Sequence, residues 1–570
     1  MEPWLELRSG APGLDGPFLL ERRLGYQIFD ERAEQPDVFL AIGGKTKRRF
    51  LRRLRAGPSV KHNGVIIEEI LSSTILLDCE LHDSTLPRIK AEPYIESCPR
   101  HHLLTTTISD ISTPQEIARC AFDFVWQALV PFSSTIVVFM DDLGGLVQLS
   151  DILATWAARP TQSQPRIVVL HDAQLRVNQG HFETMVLRKL GARLLQLELL
   201  GSPRRRRMPF ESVHFLPINN ASAVDILSHI DRASAIRRKM GLAFRSQHLT
   251  DLLHQSIKQF AAAEPAPFDL YTTARRCNPV SKSLASNITH FLAISRNLHF
   301  DRPSVIASAL VLDALPPGMH AFLPGSMFDH FYHDILASVD AALGLSLSAS
   351  TRARFIQLVE ERRDKSTHVQ HVSFIAKQQG LWMNCQSTEI CLVCLARPPR
   401  RRLSCGHRLC DACVIMCELV PLPSADWPRD YCPLCQKKNS IELILRPATA
   451  GVRALKLGGT LQSTAAMVDF LRQLQYHIGL PLHALRKQFD MVIGSDIGVF
   501  FAQTIFLEGW TIAESGHHVN KLAEPNLTKR STISFGKGLE WDLETTRLFN
   551  ELDVTLKVKD MIYSNTNNTD

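Results

Sequence analysis

The sequence predicts a multidomain α/β protein with a helical middle, and three observations carry that expectation. Short apolar, β-branched runs alternate with helical patterns over residues 1–240, as in a parallel sheet covered by helices. From 241 to 385 a helical period takes over, and between Cys391 and Cys435 eight cysteine and histidine residues at metal-ligand spacing fall within forty-five positions. With 570 residues, 45% apolar and 21% charged, the chain is long enough for three or four domains and has the composition of folded protein. A net charge of +7 over this length does not by itself imply nucleic acid.

In the first domain, residues 1–240, the expected strands are Val38–Ile42, Thr74–Leu77, Thr135–Met140, Ile167–Leu170 and Leu194–Leu199. The first runs into Gly43, Gly44, Lys45 and Thr46 and then a basic helical stretch, as a phosphate-binding loop would. It resembles the loop of P-loop NTPases, with Phe39 standing where that pattern has its first Gly. Without that turn the backbone amides wrap a phosphate less well, so Gly44, Lys45 and Thr46 are expected to form a degenerate nucleotide loop, and nucleotide is not the expected ligand. Asp78 and Asp141 end apolar strands where a magnesium-binding carboxylate would sit, or are ordinary strand ends. The basic runs 45–55 and 204–207 read as solvated surface.

Residues 241–385 carry no chemical motif. Leu249, Leu252, Leu253, Ile257 and Phe260, and later Phe355, Leu358 and Val359, mark helices, with Ser350 a candidate cap. His333, His368 and His371 have no cysteine or carboxylate framework beside them and read as ordinary core or surface residues.

The cysteine-rich stretch, residues 386–440, has the order Cys391-x2-Cys394, ten residues, Cys405-x-His407-x2-Cys410-x2-Cys413, eighteen residues, Cys432-x2-Cys435. Nine of the thirteen cysteines lie between 385 and 435, and in a reducing compartment metal binding accounts for them better than disulfides. Eight soft ligands make two tetrahedral zinc sites. Cys385 and Cys417 fall outside the register. A PHD- or LIM-like arrangement is the alternative, but the Cys-x-His-x2-Cys centre resembles a cross-braced RING zinc finger of the C3HC4 type. That resemblance implies that Cys391, Cys394, Cys410 and Cys413 share one Zn2+, and Cys405, His407, Cys432 and Cys435 the other. It also implies a ubiquitin-conjugating enzyme as partner, docked on Val393, Trp427, Pro433 and Leu434, with no catalytic cysteine required. Many active members have a cation after the last ligand; this chain has Gln436, followed by Lys437 and Lys438.

Residues 448–570 open with an apolar strand ending in Gly458 and Gly459, and a second strand-to-turn-to-helix unit runs through Phe489 to Gly498. With Glu508-Gly-Trp-Thr-Ile, these resemble the opening of a patatin-like phospholipase domain, here partial and truncated, and its adjacency to a RING finger resembles fungal patatin/RING multidomain proteins. The resemblance implies a lipid acyl hydrolase with a Gly-x-Ser-x-Gly elbow. The chain has Gly494-Ser495-Asp496-Ile497-Gly498, so Asp496 takes the nucleophile's place with Ser495 adjacent. The oxyanion loop is reduced to Gly458-Gly459-Thr460, and no partner Asp-Gly-Gly or Asp-Gly-Ala triplet follows between 499 and 570.

The expectation is therefore a zinc-binding RING protein acting as a ubiquitin-ligase or protein-interaction module with a catalytically inactive patatin-like remnant, a pseudoenzyme of lipid metabolism. Patatin-like lipid acyl hydrolysis is the alternative. The first residues lack a signal peptide's basic and apolar regions and no apolar run reaches membrane-spanning length, so the expected location is cytoplasmic and the sequons at Asn220, Asn287 and Asn526 are expected to be unused.

Overall fold

The computed structural model describes residues 3–80, 100–103, 114–189, 210–361, 367–417, 431–439, 453–478, 485–522, 532–542 and 563–564, less a few short stretches within these ranges. The chain divides into two units, Met1–Thr273 and Ala274–Asp570.

The first unit runs β1 (Leu5–Ala11), β2 (Leu14–Glu21), α1 (Gln27–Asp30), β3 (Asp37–Ile42), α2 (Lys45–Arg55), β4 (Gly64–Leu71), β5 (Thr74–Glu80), β6 (Arg100–Leu103), α3 (Pro114–Phe124), β7 (Thr135–Phe139), α4 (Gly145–Ala157), β8 (Arg166–His171), β9 (Ser212–Pro217), α5 (Ala223–Lys239) and α6 (Ser246–Ala261). One nine-stranded sheet has the order β6-β2-β1-β4-β5-β3-β7-β8-β9. From β5 to β9 neighbouring strands are parallel. β5, β7 and β8 are buried along their whole length, as expected of strands covered on both faces. Phe39, Phe50, Leu51, Val137, Phe139, Ile226 and Ile230 join α2 and α5 to this half in one apolar cluster.

The sheet is mixed, which corrects the expectation of a purely parallel one: β1, β2, β4 and β6 add an antiparallel half through β5. These strands escape an apolar-run reading because they are interrupted by polar residues, by Gly16-Pro17 in β2 and by Glu68-Glu69 in β4. The expected strand at Leu194–Leu199 and the basic run 204–207 lie outside the described residues. Helix α6, part of the helical period read from the sequence, belongs to the first unit.

The second unit begins with helices α7 (Leu284–Ile294), α8 (Arg302–Ala314), α9 (Pro324–Phe331), α10 (His333–Leu343), α11 (Ser348–Glu361), α12 (Thr367–Ala376) and α13 (Gln379–Trp382). Asp301 caps α8 by accepting from the Ser304 amide. At α11 the capping group is Asp340, which accepts from the amides of Leu347 and Ser348 at 2.8 and 2.9 Å; Ser350, the cap read from sequence, lies inside the first turn. The cysteine-rich module follows, with β10 (Arg401–Arg402), β11 (Arg408–Leu409) and α14 (Asp411–Met416). Beyond it, β12 (Ala454–Gly459), α15 (Thr464–Ile478), β13 (Met491–Asp496), α16 (Ile497–Phe501) and α17 (Ile512–Leu522) form a small layer in which β12 and β13 pair in parallel over an apolar cluster of their own.

Candidate metal centre

Two turns of one geometry open and close the cysteine-rich module. The Leu395 amide donates to the Cys391 carbonyl at 2.8 Å and the Cys391 amide to the Arg397 carbonyl at 2.9 Å; the Gln436 amide donates to the Cys432 carbonyl and the Cys432 amide to the Lys437 carbonyl, both at 2.9 Å. Leu395 and Gln436 take φ of 54° and 56°, a left-handed conformation disfavoured for residues with a side chain. Each lies just behind a Cys-x2-Cys pair, where the tight turn brings both sulfurs to one side. Between the turns, β10 and β11 form a hairpin whose tip carries Cys405 and His407. Cys410 is the residue before α14, so Cys410 and Cys413 sit one helical turn apart on one face.

These pieces interleave. Cys391, Cys394, Cys410 and Cys413 gather in one cluster and Cys405, His407, Cys432 and Cys435 in another, the ligand atoms of each lying within 4.8 Å of one another. The Sγ atoms of Cys394 and Cys410 are 3.8 Å apart, and His407 Nδ1 is 3.4 Å from Cys405 Sγ and 3.6 Å from Cys432 Sγ. Metal–sulfur bonds of about 2.3 Å in a tetrahedron place sulfurs about 3.8 Å apart, so both donor sets fit a tetrahedral ion. The pairing implied by the RING resemblance is the pairing found. Cys385 and Cys417 are buried but enter neither cluster, and burial pushes the Cys385 thiol up to about 11.

Arg397 offsets the thiolate charge of the first cluster. Burial pulls its guanidinium down, yet Cys394, Cys410, Cys413 and Asp313 together hold it above its ordinary value. Around the second cluster, His407 Nε2–H donates to the carbonyls of Trp382 at 2.9 Å and Cys385 at 3.1 Å, which leaves Nδ1 for the ion. These carbonyls are functional groups that spacing alone does not reveal, since every residue has one. His371 is a buried core histidine, as read from the sequence, with both ring nitrogens engaged: Ser308 Oγ lies 2.8 Å from its Nδ1 while its Nε2–H donates to the Val393 carbonyl at 2.7 Å. Asn287 Nδ2 donates to the Leu395 carbonyl at 2.9 Å, so this sequon asparagine is engaged within the fold.

Those contacts cover the first turn. Val393 is 1% exposed and Leu434 wholly buried, and Pro433 is buried as well, so the three do not form the exposed apolar patch expected for an enzyme partner. Trp427 lies outside the described residues. Gln436 turns its amide back on the carbonyls of Cys432 and Pro433, at 3.1 Å each, whereas Lys437 and Lys438 are exposed.

Each of the two turns singled out from the sequence is occupied by an aspartate. At the start of α2, the amides of Gly44, Thr46 and Lys47 point at one anion, and that anion is Asp142, at 2.7, 2.9 and 2.8 Å. Burial raises the Asp142 carboxyl, but the amides of Lys47, Thr46 and Gly44 outweigh it and hold the group below its ordinary value. Lys45 and Asp141 are exposed. The buried lysine is Lys47, 2.5 Å from Asp78 and donating to the Cys79 carbonyl, so Asp78 is committed to an ion pair within the sheet. Burial pulls the Lys47 ammonium below its ordinary value despite that pair.

At the second turn, Asp496 joins β13 to α16 with φ 50° and ψ −128°, a strained conformation for a residue with a side chain. Gly494 and Gly498 make the turn sterically possible: a Cβ at 494 would lie 2.6 Å from the Val499 Cα, and one at 498 would lie 2.3 Å from the Leu457 carbonyl oxygen. Asp496 is exposed, and Ser495 faces Gly458 on β12 across the parallel register.

No protein-family model matches this chain, and no curated protein is similar to it beyond chance. Among the described residues no helix is long and apolar enough to cross a membrane.

Proposed function

We propose that residues 386–440 are a RING-type module holding two zinc ions and that the chain works as a zinc-stapled protein-interaction scaffold. The observation that carries this reading is the interleaving of two four-ligand clusters, each of tetrahedral size. Sulfur-rich tetrahedral sets select zinc among the common divalent ions. With four protein ligands each, neither ion keeps an open position for substrate, so the metal supplies fold and orientation rather than chemistry.

Ubiquitin ligation is the more specific form of this reading. Gln436 in the place of the cation after the last ligand speaks against it, with Lys437 and Lys438 exposed just beyond, and the burial of Val393, Pro433 and Leu434 opposes direct docking of a conjugating enzyme on the folded chain. Autoubiquitination with a panel of conjugating enzymes separates the two forms. Conjugates lost in Cys394→Ser establish the ligase; none from protein carrying two zinc ions leaves the scaffold. Nucleotide binding is not proposed, because Asp142 fills the anion position, nor is lipid acyl hydrolysis, because a carboxylate stands at the elbow.

A further inference from the structure

We propose that the ion held by Cys405, His407, Cys432 and Cys435 is the exchangeable one of the two, and that its occupancy sets the stability of the helical segment ending at Cys385. This rests on the metal reading above.

The first ground is access. All four thiols of the other cluster are buried, whereas Cys405 is half-buried at the hairpin tip, next to Gly406. A chelator or competing thiol enters a ligand set through its most accessible member. The four-cysteine cluster offers no such entry.

The second ground is what each ion touches beyond its ligands. His407 reaches the helices through the ligand side chain itself: an ion on Nδ1 fixes the ring proton on Nε2, the form that the Trp382 and Cys385 carbonyls require. Trp382 is wholly buried, 4.5 Å ring to ring from Phe300 and 6.2 Å from Phe291, and its Nε1–H donates to the Ile375 carbonyl at 3.0 Å. The imidazole is thus keyed to an aromatic centre shared by α7, α12 and α13. When the ion leaves, the ring loses the bond on Nδ1 that anchors it to the hairpin and to Cys432, and its two contacts with the Trp382 and Cys385 carbonyls are no longer braced from the other side. The four-cysteine cluster meets the helices differently, through backbone carbonyls of Val393 and Leu395 that His371 and Asn287 hold. Loss of that ion disturbs the turn, not the end of α13.

The test uses the full chain with its metal content measured, a graded chelator, and hydrogen exchange followed by mass spectrometry. The expected result is stepwise loss of one ion and then the other, with amides 381–385 exchanging about tenfold faster after the first step, as loss of two hydrogen bonds implies, while 391–396 keep their protection. Cys405→Ser, which leaves the four-cysteine cluster intact, is expected to hold one ion and to show the same fast exchange at 381–385. Simultaneous loss of both ions, an unchanged 381–385 after the first step, or two tightly held ions in Cys405→Ser would each overturn the coupling alone. Fewer than two ions in the starting protein overturns the metal reading and the coupling with it.

Discussion

The cysteine-rich module and the two enzyme-like turns are opposite outcomes of one construction. In the module the side chains are complete: the eight ligands gather Cys391, the hairpin tip, α14 and Cys435 into two clusters, beside buried apolar residues such as Val393, Leu409, Val414 and Leu434. At Gly44 a helix N-terminus is aimed at the Asp142 carboxylate, and at Asp496 a sharp turn joins strand to helix, so each turn is defined by its backbone and occupied by an aspartate. Backbone geometry of this kind is held by packing and strand register rather than by the side chain at its tip. A metal site has no such reserve.

Loss of a ligand should therefore have the largest effect. Cys394→Ser is expected to lower the metal content and unfold the module, removing roughly 10 kcal/mol of metal-coupled folding energy. Metal analysis together with exchange over 391–417 measures it, and an intact module without metal would erase the contrast drawn above. Next comes the elbow's packing. Gly498→Ala forces a methyl to within 2.3 Å of the Leu457 carbonyl oxygen and should destabilise the β12–β13 layer by about 3 kcal/mol, read from its unfolding midpoint.

The filled anion position should matter less. Asp142→Ala leaves three amides at the start of α2 without their acceptor and is expected to cost about 2 kcal/mol. Because the folded carboxyl lies below the ordinary 3.8, this stabilisation is complete above that pH and is lost as pH falls through the lower folded value. Acid unfolding of wild type and variant should accordingly converge at the acid end. The smallest change is a gain: Asp496→Gly relieves a positive φ and should stabilise by about 1 kcal/mol, while neither wild type nor Asp496→Ser is expected to hydrolyse acyl esters. Turnover by wild type that disappears in Ser495→Ala or Asp496→Ala would break the comparison at this point.

What was legible in the sequence follows from the same division. The metal clusters were, because ligand identity and spacing are written in the residues that do the binding. So were β3, β5, β7 and β8, whose apolar runs come from burial on two faces. The antiparallel half was not, since Glu68-Glu69 and Gly16-Pro17 interrupt the runs that betray a strand. Asp142 was passed over in favour of Asp141, one position away, because only the three-dimensional path of the chain decides which of two adjacent carboxylates meets the amides at 44–47. The hold on the first turn was invisible for a related reason: His371 bonds the Val393 carbonyl and Asn287 the Leu395 carbonyl, and backbone carbonyls carry no residue signature.

The Asp142 contact also has a meaning in time. Gly44 and its acceptor are 98 residues apart, so on a ribosome adding about 5–20 residues per second the three amides wait roughly 5 to 20 s for their carboxylate. During that interval the basic stretch 45–55 is without the carboxylate that caps it in the folded chain, and a helix of eleven residues is marginal on its own.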